Sequence, residues 1–377
     1  MYKKYLDNEQ LNFQVNRFIE PFYLDEKIQK KVIALCKKIT NLEEWYTNWY
    51  QQGTQEYQEG NFSFASASFQ LADFFLPSSD ERKEITYRLF KETFYKSVAD
   101  FNIEYTKMPY QGKELPVAII KNPQAKNWLV FHGGFDSYLE ELIRLSITYL
   151  SELRDYNILM FEGPGQGLAV KEGLYMTYDW EKPVSALLDY YQLDAVTLMG
   201  MSLGGYLSLR AASMEPRIHR VIAFDVFYSM MDAFTLKAPE ELSNLPDLTV
   251  PEVQVAVDEK VNQLCKKNID LNFKVSKAKE ILGKKTPSEV LLEIQKFSLA
   301  GVEALIQQDV LLLAGTQDIY VPVSRVPFLQ KEMINAYRIE TVIFTNRSGG
   351  QFHCQVGAKM LAFKKIEDFL NEEVNYK

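Results

Sequence analysis

The stretch Val196-Thr197-Leu198-Met199-Gly200-Met201-Ser202-Leu203-Gly204-Gly205 constrains this chain more than any other. An apolar run of strand length stops at a glycine, a lone serine follows, and two glycines open Tyr206 to Met214, which is rich in helix formers. Strand, sharp turn and helix in that order form the G-x-S-x-G nucleophile elbow. The turn lifts the serine hydroxyl out of the sheet. Side chains at Gly200 or Gly204 would collide with the neighbouring strand and helix. Unpaired N–H groups at the helix start then face any anion that forms beside Ser202. A chance glycine-serine turn has the same letters, but the strand and helix on either side favour the functional reading.

Around the elbow the pattern alternates. Strands are predicted at 128–131, 158–161, 196–199, 221–224, 310–313 and 341–344, with helices at about 138–153, 180–191, 203–214, 325–336 and 356–369. A hairpin precedes them, 103–108 paired with 116–121 across Gln111-Gly112-Lys113. Short apolar strands between amphipathic helices indicate an α/β fold whose mostly parallel sheet is covered on both faces. The alternation stops between Tyr228 and Gln308, where 250–264, 275–282 and 287–297 read as helices. A break of that length reads as an inserted helical cap, 229–308, dividing the core into 103–228 and 309–377.

Residues 1–102 differ in character. A helical pattern runs from Asp25 to about Gln58, a second segment with small residues from Phe62 to Leu76, and a third helix from Asp80 to about Ala99. These three predicted helices carry many aromatic residues. About a hundred helical residues would struggle to hide them alone, so a lid packed on another domain is favoured over a separate partner-binding module.

A serine hydroxyl needs a base, and the base needs an orienting carboxylate. The chain has only three histidines. His219 precedes a strand at the wrong edge of the sheet. His132 opens His132-Gly133-Gly134-Phe135 ahead of the serine, whereas this elbow usually has the order serine, acid, histidine. His353 remains, in the loop Ser348-Gly349-Gly350-Gln351-Phe352-His353, and is the expected base. Asp318, at the exit of Leu311-Leu312-Leu313-Ala314-Gly315, is the expected acid, with Asp225 as its competitor and helix capping as its plain alternative. The backbone N–H of Leu203 and that of Phe135, or less favourably Gly134, are the expected oxyanion donors. Cys36, Cys265 and Cys354 lie far apart and outside any C-x-x-C pattern, so they predict neither a disulfide framework nor a zinc site.

With Ser202, Asp318, His353 and the His132-Gly133-Gly134 turn in place, the region from about Ile103 onward resembles the α/β-hydrolases. Phe161-Glu162-Gly163-Pro164-Gly165-Gln166-Gly167 and Phe135-Asp136-Ser137 narrow the resemblance. They are similar to the subgroup containing 2,6-dihydroxypseudooxynicotine hydrolase, a carbon–carbon bond hydrolase, and the fermentation-respiration switch esterase-like proteins. The resemblance implies a helical lid and, in many members, a homodimer. It also gives Asp136 a mechanistic role if carbon–carbon bonds are cleaved; stabilising the turn is the alternative. The elbow is similar as well to prolyl-oligopeptidase-type catalytic domains, including acylaminoacyl peptidases. There the chain departs in having Leu203 where tyrosine is common, and helices where propeller blades would be.

The expected activity is therefore a serine hydrolase acting through an acyl-enzyme on a small ester, with amide or acyl-peptide substrates and carbon–carbon cleavage as alternatives. A hydrolase-fold sensor without catalysis is the reading from another class. No cofactor or metal is called for, and no G-x-x-x-x-G-K-[ST] phosphate loop is present. A net charge of −8 without a long basic run argues against nucleic acid. No stretch reaches ~18 apolar residues and the start lacks the pattern of a signal peptide, so neither a membrane partner nor export is expected and a cytoplasmic location is.

Overall fold

The computed structural model describes residues 2–237 and 247–372. Met1, residues 238–246 of the expected cap and 373–377 of the expected core lie outside the described residues. The fold divides into two compact units, Met1–Asn102 with Val356–Ala358, and Ile103–Gln355 with Lys359–Lys377.

The first unit contains α1 (Glu9–Ile19), α2 (Glu26–Cys36), α3 (Leu42–Gln58), α4 (Phe62–Phe74) and α5 (Arg82–Ser97). Three helices were expected, and the structure differs in two places. The run from Asp25 to Gln58 is broken at Asn41, whose extended backbone and side-chain acceptor for the Glu44 N–H start a new helix. Hydrophobic periodicity passes over this break because both helices bury the same kind of face. Helix α1 was not expected, and its buried positions include Gln10, Asn12, Gln14 and Asn16. Asn12 and Asn16 accept hydrogen bonds from the Tyr5 and Lys3 N–H groups, at 2.7 and 2.8 Å. The helix also buries Leu11, Val15, Phe18 and Ile19 at helical spacing, so an apolar stripe is present and the buried amides add a polar layer that holds the leader. The small residues of α4, Ala65 to Ser68, are all buried, and α3 and α5 pack against this helix. At Gly53 a methyl would come 2.8 Å from the Phe69 ring, so glycine sets how closely α3 and α4 approach.

The second unit begins with β1 (Glu104–Tyr110) and β2 (Lys113–Ile120), joined by Gln111 and Gly112, both at positive φ. That is the two-residue hairpin turn whose twist matches paired strands. There follow β3 (Asn127–His132), α6 (Leu139–Tyr149), β4 (Tyr156–Phe161), α7 (Gly167–Lys171), α8 (Glu181–Tyr191), β5 (Val196–Met201), α9 (Gly204–Ala212) and β6 (Ile218–Phe224). The insertion holds α10 (Met230–Thr235), α11 (Pro251–Cys265), α12 (Ile269–Leu282) and α13 (Pro287–Ile294). The chain then closes with β7 (Asp309–Gly315), α14 (Arg325–Glu332), β8 (Arg338–Phe344) and α15 (Lys359–Asn371). The short helices α7 and α10 were not expected. The helix predicted at about 325–336 begins at Arg325 and ends earlier, at Glu332.

Among the described residues the strands form one sheet in the order β1-β2-β4-β3-β5-β6-β7-β8. The pairs β1–β2 and β2–β4 are antiparallel, and every other pair is parallel. Strands β4, β5 and β7 are buried at every position, which is why they read as unbroken apolar runs. Because β4 lies on one side of β3 and β5 on the other, the sheet has its topological switch point at the carboxyl ends of β3 and β5. Open α/β sheets bind ligands in the crevice at that point. No helix of the described residues is long and apolar enough to cross a membrane.

Candidate active site

Ser202 directly follows β5 at the switch point and adopts φ +63°, a left-handed conformation that costs a non-glycine residue roughly 1–2 kcal/mol. Close packing holds it there. A methyl on Gly200 would lie 1.9 Å from the Gly204 carbonyl oxygen, and one on Gly205 only 1.7 Å from that of Asp225. The Ser202 N–H donates to the Phe224 carbonyl at 2.5 Å, tying the elbow to the end of β6.

His353 lies in a 3₁₀ turn, His353–Gln355, after β8. The loop leading to it meets the loop after β7, where the Gln317 N–H donates to the Gln351 carbonyl at 2.7 Å. This junction brings the imidazole to both partners. Ser202 Oγ is 2.8 Å from His353 Nε2, and His353 Nδ1 is 2.7 Å from Asp318 Oδ2. Asp318 is held in turn, its Oδ1 accepting from the N–H groups of Tyr320 and Val321 at 2.7 and 3.0 Å.

Sequence reasoning treated Asp225 and Asp318 as alternatives, but the structure brings both to the same nitrogen. Asp225 Oδ2 lies 3.1 Å from His353 Nδ1. Its carboxylate also accepts from the Cys354 N–H at 2.5 Å and from Gln355 Nε2 at 2.9 Å. Burial pushes Asp318 up to about 6, and the charge of Asp225 adds to the rise against the opposing pull of His353. At Asp225 burial also acts upward, but the bonds and charge of His353 outweigh it and the pKa falls below the usual carboxylate value. Two carboxylates this close titrate as one coupled system in which Asp225 ionises first. For His353, burial favours the neutral ring. The charge of Asp318, with further help from Asp225, outweighs burial and raises the imidazole well above its ordinary value.

The candidate oxyanion donors belong to the elbow and to the turn after β3. Leu203 directly follows Ser202 and precedes α9. A methyl on Gly134 would come within 2.6 Å of the Leu203 nitrogen, so the turn after β3 presses against the elbow. Phe135 and Asp136, both half-buried, continue that turn. Rings line the approach: Tyr320 and Phe227 meet the imidazole edge-on at 4.9 and 6.0 Å, and Phe135 meets Phe234 of α10 at 6.4 Å. Phe234 also lines a narrow apolar cavity in the insertion with Met231, Val261, Leu271, Val275 and Val290. Apolar walls of this kind exclude water and strengthen the polar contacts within.

The other histidines lie away from the imidazole's role. His219, expected just before a strand, is the second residue of β6 and is exposed. His132 is buried at the end of β3, where desolvation drives its pKa down to about 4, and its Nδ1 lies 2.9 Å from the Gly133 carbonyl oxygen. Asp225, His353 and Cys354 place one potential metal-ligand atom each within 4.8 Å, the only such group among the described residues. The donor set does not suit a cation. Burial pushes the Cys354 thiol up to about 11, its Sγ faces the Phe224 carbonyl, and Asp225 already serves the Cys354 N–H and Gln355. The same protonated, enclosed thiol is a poor nucleophile.

No protein-family model matches the chain. Hydrolase ORFZ of Pyricularia oryzae is 27% identical over 321 residues, which cover 78% of this chain and 74% of that protein. Hydrolase LUC6 of Fusarium sp is 31% identical over 224 residues, covering 53% of this chain and 51% of its own. The chain thus spans about half the length of that second relative. With the sheet order, the similarities in structure show that the chain has the α/β-hydrolase fold. It is similar in structure to 2,6-dihydroxy-pseudo-oxynicotine hydrolase, with a TM-score of 0.66, 22% identity and 94% of each chain covered. The structure named AbyA5 superposes with a TM-score of 0.70 at 18% identity, over 97% of this chain and 95% of the other.

Proposed function

We propose that this protein is a serine hydrolase that cleaves a small ester through an acyl-enzyme. The observation that carries this reading is the continuous hydrogen-bonded line from Ser202 Oγ through both imidazole nitrogens of His353 to Asp318, at 2.8 and 2.7 Å. In the proposed reaction His353 Nε2 takes the Ser202 proton as Oγ bonds to the substrate's carbonyl carbon. The carbonyl electron pair moves onto its oxygen, which accepts from the Leu203 and Phe135 N–H groups. Collapse of the tetrahedral intermediate breaks the carbon–oxygen bond, and His353 returns its proton to the departing alcohol. Water, deprotonated by His353, then releases the acid and restores Ser202. The aspartates hold the Nδ1–H tautomer and offset the charge that forms on the ring.

A cysteine nucleophile is disfavoured because Nε2 faces Ser202 and the Cys354 thiol is held protonated. Domain boundaries at 102/103, 228/229 and 308/309, a lid role for the helices and homodimerisation remain part of the proposal. So does Asp136 as an auxiliary group. A fluorophosphonate probe tests the reading. Mass spectrometry is expected to find one adduct, on Ser202, lost in Ser202→Ala, with turnover of p-nitrophenyl acetate lost in parallel. Labelling elsewhere, or ester turnover unchanged in Ser202→Ala, would refute it. A tenfold or greater preference for acylaminoacyl-nitroanilides, about 1.4 kcal/mol of barrier, would move the assignment to a peptidase.

A further inference from the structure

We infer that Gln166 is a positioning residue that aims the Phe135 N–H at the reaction centre, an inference resting on the acyl-transfer reading above. Gln166 stands in Glu162-Gly163-Pro164-Gly165-Gln166-Gly167, between β4 and α7. Its side chain is fully enclosed, at 1% exposure, and every polar atom of its amide is engaged. Nε2 donates to the Gly133 carbonyl at 2.8 Å and to the Gly134 carbonyl at 3.0 Å, while Oε1 accepts from the Gly163 N–H at 3.0 Å. Peptide groups are planar and trans, so the N–H of each residue points opposite to the carbonyl of the residue before it. Gripping the Gly134 carbonyl therefore fixes the direction of the Phe135 N–H. The bond to Gly133, a carbonyl that His132 Nδ1 also approaches at 2.9 Å, fixes that of Gly134.

The same loop pins the far end of the segment. The Glu162 carboxylate accepts from Leu139, the first residue of α6, at 2.8 Å and from Leu168 at 2.7 Å. Two glycines make room for this clamp. A methyl on Gly167 would lie 1.9 Å from Glu162 Oε1, and one on Gly163 would lie 2.3 Å from the ring of Trp180, which packs on His132. Residues 133–139 are thus tied at both ends, with the candidate donor between. Packing alone could hold a loop with apolar side chains. A buried primary amide spent on two consecutive carbonyls sets orientation.

Gln166→Leu keeps the bulk and removes the donors, whereas Gln166→Glu sets a carboxylate against two carbonyl oxygens. With p-nitrophenyl acetate both are expected to lower kcat by about 10–100-fold, less than the loss of an oxyanion donor outright. KM should stay within twofold, and the acid limb of the pH profile should not move. Fluorophosphonate labelling of Ser202 should slow by the same factor. Amide hydrogen exchange across 133–138 should quicken at least tenfold while the peptide carrying Ser202 is unchanged. A kcat within twofold of wild type, a KM-only effect, a moved acid limb or unaltered exchange would each overturn the inference. Failure of both variants to fold would overturn it too, since the loop would then hold the fold rather than aim a donor. A wild-type protein unlabelled at Ser202 removes the acyl-transfer reading and this inference with it; normal labelling with undiminished variants removes this inference alone.

Discussion

Replacing Asp318 with asparagine should cost far less than the loss of the acid in a triad that has only one. With a single acid, an amide there turns a donor toward Nδ1, imposes the wrong tautomer and lowers kcat by about 10⁴, roughly 5.5 kcal/mol. In this site Asp225 Oδ2 waits 3.1 Å from the same nitrogen, against 2.7 Å for Asp318. The Nδ1–H therefore keeps a carboxylate acceptor in Asp318→Asn, and the loss reduces to one charge-assisted hydrogen bond, about 1.5–3 kcal/mol. The expected fall in kcat is roughly 10–100-fold. Asp225→Asn, which removes the longer contact, should cost less, and the double variant should fall by about 10⁴. Measured as p-nitrophenyl acetate turnover in a double-mutant cycle, the combined loss should exceed the product of the single losses. Thermal unfolding must be followed alongside, because Asp225 also binds Cys354 N–H and Gln355. A 10⁴-fold loss in Asp318→Asn alone, with Asp225→Asn silent and stable, would refute the shared-carboxylate reasoning.

Other expectations concern pH and packing. Because the carboxylates raise His353 above its ordinary value, kcat/KM should rise with pH along an acid limb centred above 6.5, and either aspartate-to-asparagine change should move that limb down; a wild-type limb at or below 6.5 contradicts this. His132 is buried neutral with a pKa of about 4, against about 6.5 unfolded. It contributes about 3 kcal/mol that is present above pH 6.5 and is lost as pH falls from there through 4. Urea unfolding of His132→Asn across that window should accordingly show a shallower acid loss than wild type. Gly205→Ala places a methyl 1.7 Å from the Asp225 carbonyl and should destabilise the fold by about 1–3 kcal/mol in the same assay, with loss of ester turnover.

The chain's linear pattern carried the elbow, the parallel core and the order serine, acid, histidine, because each is a local signal: a glycine where the backbone is crowded, an apolar run where a strand is buried on both faces, a loop after a strand. Helix α1 was legible in the spacing of Leu11, Val15, Phe18 and Ile19, but the burial of its asparagines and glutamines was not, and the break at Asn41 was hidden because the apolar face continues across it. Gln166 carried a partial signal, since its motif stood out, but nothing in the letters says which carbonyls a glutamine will reach.

Asp225 marks the division most sharply. Its place at a strand exit was legible, and so was its candidacy for the acid. That it and Asp318 would approach one imidazole nitrogen depended on β6 and β7 lying side by side and on the loops after β7 and β8 meeting at Gln317 and Gln351. Sequence fixes which groups stand at the ends of strands, because that is local backbone chemistry. Only tertiary structure decides which strand ends converge, because convergence is set by strand order and by loop contacts between residues distant in the chain.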